Sequence, residues 1–285
     1  HNAPEIYKDY HFNDKFAYFM NYQKRDKASY GVLNVTVFTP PLNSCEYSCK
    51  FCPINPQNNT APQSYFNNEP GVARADQYKY DIIKQIRGRL KDYSLKGDIL
   101  REKQSNSKRK IKAKVDIRIA GGTFHSYPIE DRREFIRQVY YAVRTIDYLD
   151  EKLPPMMSLD EEIKYHVDNN DLIGVLICAL SIETRPDKIN YESIKELNRY
   201  YLTWIELGVQ TTHNDILKKV GRGHTVEQSE LGIAMCKSVM GVKVLTHIMP
   251  DLPGTTPERD IEIFKDKIVK NDTFIQRNLN FILIS

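Results

Sequence analysis

No run of about 18 apolar residues occurs in this 285-residue sequence, so a membrane-spanning helix is not expected. The first residues, HNAPEIYKDYHF, lack the basic-then-apolar layout of a secretory signal. Cysteine is scarce. There are 5, an odd number with three crowded into one loop, which argues against a secreted disulfide framework and for a reducing, cytoplasmic setting. Neither sign of charge dominates: 41 Lys and Arg face 37 Asp and Glu, for a formal charge of +4. Internal repeats and clear linkers are absent, so one core domain is expected over 32–285, after an extension over 1–31. With 41% hydrophobic and 27% charged residues, the composition is that of a globular protein rather than a disordered one.

What is present is a regular alternation. Short apolar runs at 32–38, 114–120, 172–183, 203–209, 242–249 and 278–285 read as strands. Amphipathic stretches at 76–93, 129–150, 188–201, 226–240 and 257–270 read as helices. This order predicts an α/β fold with a parallel sheet or barrel. The strands run into small or polar motifs, TPPLNSC, GGTF, ETRPD, GVQTT and MPDLPG. In βα folds the loops after the strands converge on one face, so these motifs fall where a site belongs. Residues 94–112 and 151–170 read as insertions. Across the first, REKQSNSKRKIKAK is a basic run that is either a solvated loop or a polyanion contact.

The stretch TPPLNSCEYSCKFC holds Cys45, Cys49 and Cys52, with Phe51 just before the last. Thiolates are soft ligands that favour zinc or iron–sulfur clusters. Structural zinc normally takes four protein ligands, and the nearest histidines, His11 and His125, are far away in sequence. Three thiolates leave a metal position open, which suits catalysis better than structure, with zinc and unligated thiols as the alternatives. Cys178 and Cys236 lie in apolar or helical contexts and are expected to be buried structural thiols.

The spacing Cys45-x-x-x-Cys49-x-x-Cys52, its aromatic residue and its place after a strand resemble the signature of radical S-adenosylmethionine (SAM) enzymes. The resemblance implies an α/β, partial (β/α)6-type TIM barrel. It also implies a [4Fe-4S] cluster on the three cysteines, SAM on the remaining iron, and an external electron donor. SAM contacts are implied at Phe51, at the GGE-type turn of Gly121, Gly122 and Thr123, and at Glu183. Gln210 and Arg222 resemble the GVQ…NR pattern of oxygen-independent coproporphyrinogen oxidases. Each has a plainer reading: the Gly pair as an ordinary turn, Glu183 as a helix cap or solvated carboxylate. His247 is either a core histidine or a SAM or substrate contact. Arg185 is either a substrate-phosphate contact or a surface arginine.

The segments IAGGTFHSYP, IETRPD, IELGVQTTHNDILKKVGRGHT and HIMPDLPGTTPERDIEIF resemble, in order, the family of the Elongator complex's catalytic subunit. That resemblance implies a carboxymethyluridine synthase-like transferase acting at the tRNA wobble position. A 5′-deoxyadenosyl radical would take hydrogen from the methyl group of acetyl-CoA. The carbon radical would add to C5 of uridine, and thioester hydrolysis would leave 5-carboxymethyluridine. The implied partners are tRNA, acetyl-CoA and other Elongator-type subunits. Lys114 matches a family lysine linked to acetyl-CoA, with a plain strand-flanking lysine as the alternative. Tyr65, Phe66, Arg74, Lys79, Arg87 and Arg89, together with the extension 1–31, are expected to face tRNA. Cys45 and Cys49 are spaced more narrowly than is usual in that family. The family's C-terminal acetyltransferase-like domain is absent, so the chain is expected to be truncated before it. A radical SAM enzyme with another substrate and a silent tRNA-binding module are the alternative functions.

Overall fold

Alternate residues of the apolar runs face the helices, and this period of two builds the sheet. The computed structural model describes residues 31–41, 47, 49–52, 70–95, 113–148, 152–169, 174–263 and 279–283. Its strands are β1 (Val32–Phe38), β2 (Ala113–Ala120), β3 (Val175–Thr184), β4 (Trp204–Gln210), β5 (Lys243–Ile248) and β6 (Leu279–Leu283). All pair in parallel in sequence order, β1 to β6. Sequential parallel order with helical crossovers is the partial-barrel architecture expected from the sequence. Residues 101–112 of the basic run lie outside the described residues, and its last two, Ala113 and Lys114, open β2.

Eight helices enter the account: α1 (Pro70–Gln77), α2 (Ile82–Leu95), α3 (Ile129–Arg144), α4 (Leu159–Asp168), α5 (Tyr191–Arg199), α6 (Asn214–Lys219), α7 (Val226–Met235) and α8 (Pro257–Glu262). None among the described residues is long and apolar enough to cross a membrane. Val35, Val37, Ile117, Ile119, Leu180, Ile182, Ile205 and Leu207 pack with Ile136, Val139 and Leu197 of α3 and α5 in one core. The residues between them, among them Thr36, Arg118, Ser181, Glu183 and Glu206, share the opposite, inner face of the sheet.

Three expectations are corrected. The single helix over 76–93 is two, because the chain turns between Gln77 and Ile82 with positive φ at Lys79 and Tyr80. The stretch 151–170 is not merely an insertion: it contains α4. Ser158 and Glu161 close a capping box at the start of that helix, and buried Glu162 accepts two 2.7 Å bonds from Arg144 of α3. Cys178 is exposed rather than buried. The β2–β3 register skips it, pairing Val115 with Ile177 and Asp116 with Ala179, so it is the extra residue of a bulge. Arg87 and Arg89 are half-buried and have internal partners. Arg87 donates to the carbonyls of Thr145 and Tyr148 after α3, and Arg89 stacks 4.4 Å from the Tyr93 ring centroid. Cys236 is buried as expected, and burial pushes its thiol up to about 12.

Candidate active site

Because the strands are parallel, the residues after β1 to β5 meet at one rim. The cysteine loop follows β1, and three contacts tie its described part down. The Lys50 amide donates to the Val220 carbonyl at 2.9 Å, just after α6. The Cys52 amide donates to the Cys49 carbonyl at 3.0 Å, closing the turn between the two thiols. Phe51 packs on Ile216, Val220, Met249 and Leu252, so it anchors the loop by apolar contact. Cys49 is buried and Cys52 half-buried, while Cys45 lies outside the described residues.

Two guanidinium groups converge on this loop. Arg222 places Nη1 3.7 Å from Cys49 Sγ, donates through Nη2 to the Gly208 carbonyl at 2.7 Å, and through Nε to His224 Nε2 at 3.1 Å. Burial, together with Arg222, lowers His224 to about 4, so the ring is neutral; with Nε2 accepting, Nδ1–H donates toward Thr225 O. Arg185 is 1% exposed, which overturns its reading as a surface arginine. Its Cζ lies 3.4 Å from the centroid of the Tyr47 ring, and Nε and Nη2 donate to Asp187 at 2.9 and 3.1 Å. Its Nη1 is buried with no hydrogen-bond partner among the described residues. Burial and the neighbouring Arg185 charge lower the Arg222 pKa, while Cys49 opposes that shift.

After β2 the chain turns through Gly121 and Gly122, at φ 120° and 121°. A Cβ on Gly121 would meet Thr39 Oγ1 at 2.7 Å, so only glycine lets this turn lie against the end of β1. Thr123 follows, half-buried, and opens a short 3₁₀ turn at Phe124–Ser126. Gln210 ends β4 at φ 72°, beside a register shift with β5, and its buried Oε1 has no partner among the described residues. A buried polar atom without a partner at a residue of positive φ is the kind of feature that clusters at functional sites.

Below the rim, the inner face holds a charge network. His247 Nε2 lies 3.0 Å from Glu206 Oε2, and Nδ1 lies 3.5 Å from Glu183 Oε1. Ser181 Oγ donates to Glu206 at 3.1 Å, and Arg118 stands 3.8 Å from the same carboxylate. Burial pulls the His247 pKa down, but the two glutamates outweigh it and raise it to about 9, so the ring is an imidazolium at neutral pH. Burial also acts against the Glu206 charge, but His247, Arg118 and Ser181 hold it below the usual carboxylate range.

The structure therefore gathers Phe51, Cys49, Cys52, Gly121, Gly122, Thr123, Gln210 and Arg222 at the rim, with Glu183 and His247 on the strands beneath. It does not bring Lys114 there. Lys114 is exposed at the opposite, N-terminal end of β2, paired with Val32, roughly 20 Å away by strand rise. Sequence reading missed Glu206, Arg118, Tyr47 and His224. The available signal was an acid inside the apolar run WIELGV, in register with Glu183.

The site also fits an iron–sulfur cofactor. The Cys49 thiol lies 3.7 Å from a guanidinium, and the same rim carries a glycine turn packed on the end of β1 and an amide oxygen with no partner among the described residues. Among the described residues no group of three His, Cys, Asp or Glu could hold a metal ion, and the first cysteine of the motif lies outside them.

Comparison with known proteins agrees. Residues 39–266 match the Radical SAM superfamily. The sequence is 33% identical to Elongator complex protein 3 of Saccharomyces cerevisiae over 221 residues, which is 76% of this chain and 35% of that protein. It is also 33% identical to a tRNA uridine(34) acetyltransferase of Methanocaldococcus jannaschii, over 86% of this chain and 41% of that one. Among solved structures, the archaeal Methanocaldococcus infernus Elp3 with an N-terminal deletion superposes with TM-score 0.61 and 26% identity, over 89% of this chain and 46% of the other. The chain spans less than half the length of these relatives. By its matched residues and its fold, it belongs to the radical SAM superfamily, and within it is similar to Elongator-type proteins.

Proposed function

We propose that the chain is the radical SAM part of an enzyme that installs a 5-carboxymethyl group, drawn from acetyl-CoA, on the wobble uridine of tRNA. One observation carries the reading. The motif residues of the cysteine loop, glycine turn, Gln210 and Arg222 meet at one rim, in a chain whose relatives include proteins named for tRNA uridine(34). Cys45, Cys49 and Cys52 hold the cluster. When bound, a [4Fe-4S] cluster with SAM supplies a 5′-deoxyadenosyl radical.

The protein's own part is positioning and charge. Arg222 has five N–H groups, and its three bonds to Cys49, Gly208 and His224 leave two for the SAM carboxylate. Backbone carbonyls at Gly121–Thr123 take the methionine amino group, which needs the close approach that glycine permits. Gln210 Oε1 accepts a ribose hydroxyl. Glu183, steadied by His247, faces the same ligand from the inner wall. Phe51 and Tyr47 hold the cysteine loop against α6 and Arg185. Lys114, at the far end of β2, is given no step at this rim.

The test is anaerobic reconstitution followed by a 5′-deoxyadenosine assay with and without tRNA and acetyl-CoA. Release stimulated by both, with carboxymethyl mass added to wobble uridine, is the expected result. Release indifferent to tRNA would assign another substrate, and no release under any condition would leave a binding module.

A further inference from the structure

A concavity lies outside the barrel, apart from the residues of the rim. It is a cavity of about 500 Å³ between α3 and α5, walled on one side by the start of α4. The stretch taken from sequence as an insertion therefore builds part of it, through Leu159 and the Arg199–Asp160 pair at 2.9 Å.

Its lining is cationic. Arg132, Arg133, Lys188, Lys195 and Arg199 face it, against the acids Glu192 and Glu196. Arg132 and Glu196 are committed to each other by bonds of 2.8 and 2.6 Å and form a fixed, neutral wall. Among the described residues Arg133 and Arg199 pair with exposed Glu130 and Asp160, and such pairs contribute little, so both are available to a stronger anion. Lys195 is exposed. The start of α5, with Asn190 and Ser193 lining the cavity, adds the positive end of a helix dipole.

His125 also lines the cavity. Its Nδ1 meets Thr184 Oγ1 at 2.8 Å, while its Nε2 is buried with no partner among the described residues. The volume far exceeds a lone phosphate, and Ile129 and Leu159 give an apolar wall beside the charges. The cavity also borders the rim: Lys188 lines it and places Nζ 5.3 Å from the ring centroid of Tyr47 in the cysteine loop.

We propose that this cavity is a nucleotide-phosphate site, in which Lys188, Lys195, Arg133 and Arg199 take the phosphate and the Ile129–Leu159 wall takes the base. The nucleotide is either free or one residue of an RNA strand reaching the rim, and the site stands whichever substrate the rim acts on.

The test titrates the full reconstituted chain with fluorescent adenosine diphosphate and, separately, with a labelled short single-stranded oligoribonucleotide, at two salt concentrations. Lys195→Glu and the double variant Arg133→Ala, Arg199→Ala are compared with the parent, and thermal melting checks that each is folded. The expected result is at least a tenfold loss of affinity for the bound probe and a shallower salt dependence, with substrate-free SAM cleavage unchanged. Binding of the oligoribonucleotide that displaces the diphosphate assigns the site to a strand; binding of the diphosphate alone assigns it to a free nucleotide. Failure of both probes to bind, or equal affinity in folded variants, overturns the proposal. Because the readout is binding, its failure is separable from failure of the deoxyadenosine assay.

Discussion

The two faces of the sheet solve opposite problems with the same strands. The outer face carries Val35, Ile117, Leu180, Ile182 and Ile205, all fully buried against helices, and burying each such side chain is worth about 1.5–3 kcal/mol. The inner face carries Arg118, Glu183, Glu206 and His247, whose burial costs stability unless each charge finds an opposite one. The outer face is thus committed to stability, while the inner face and its rim spend some of that stability on holding charges in fixed places. If so, substitutions at the rim should abolish chemistry with little unfolding, and substitutions in the helix layer should do the reverse.

The largest contrast is expected from Cys49→Ala. The reconstituted variant should show no iron–sulfur absorbance and no SAM cleavage, while the cluster-free protein melts within about 1 kcal/mol of its parent. A large drop in apo stability would mean that the loop is a structural staple instead. Glu162→Ala tests the helix layer. It leaves half-buried Arg144 without its carboxylate and the Met157 amide without its acceptor, and urea unfolding should show a loss of about 2–3 kcal/mol with cluster loading retained once folded.

The inner network predicts a pH dependence. The folded His247 pKa is raised from 6.5 to about 9, so its contribution is fully present below pH 6.5 and is lost as pH rises through 9. Stability should fall over that window by on the order of 3 kcal/mol. His247→Gln should flatten the slope there, and an unchanged slope would remove His247 as its source. The smallest effect is expected at Arg259→Ala. Its 2.8 Å pair with Asp215 is solvent-exposed, so the urea midpoint should not move measurably.

These contrasts also explain what the sequence made legible. The β1 run VLNVTVF was read at its observed bounds, because apolar Leu33, Val35 and Val37 recur at every second position in a stretch rich in β-branched residues. The cysteine loop was legible because its chemistry is local: spacing alone brings Cys49 and Cys52 into one turn. The inner network was not. Glu206 and His247 are 41 residues apart, and only the strand register makes them neighbours. Arg185 was equally ambiguous, since its meaning lies in Tyr47, on another loop. Helix α4 was missed despite a readable signal, Ser158-Leu-Asp-Glu161 ahead of apolar Ile163, which is a capping-box pattern. The position of Cys178 needed a bulge that no single-strand pattern reveals.

The central claim is that the rim binds SAM directly at a cluster held by the cysteine loop. Electron paramagnetic resonance of the reduced, reconstituted chain tests it most directly. The account predicts a [4Fe-4S] signal that changes shape when SAM is added and loses that response in Arg222→Ala. A well-formed cluster signal indifferent to SAM would contradict it.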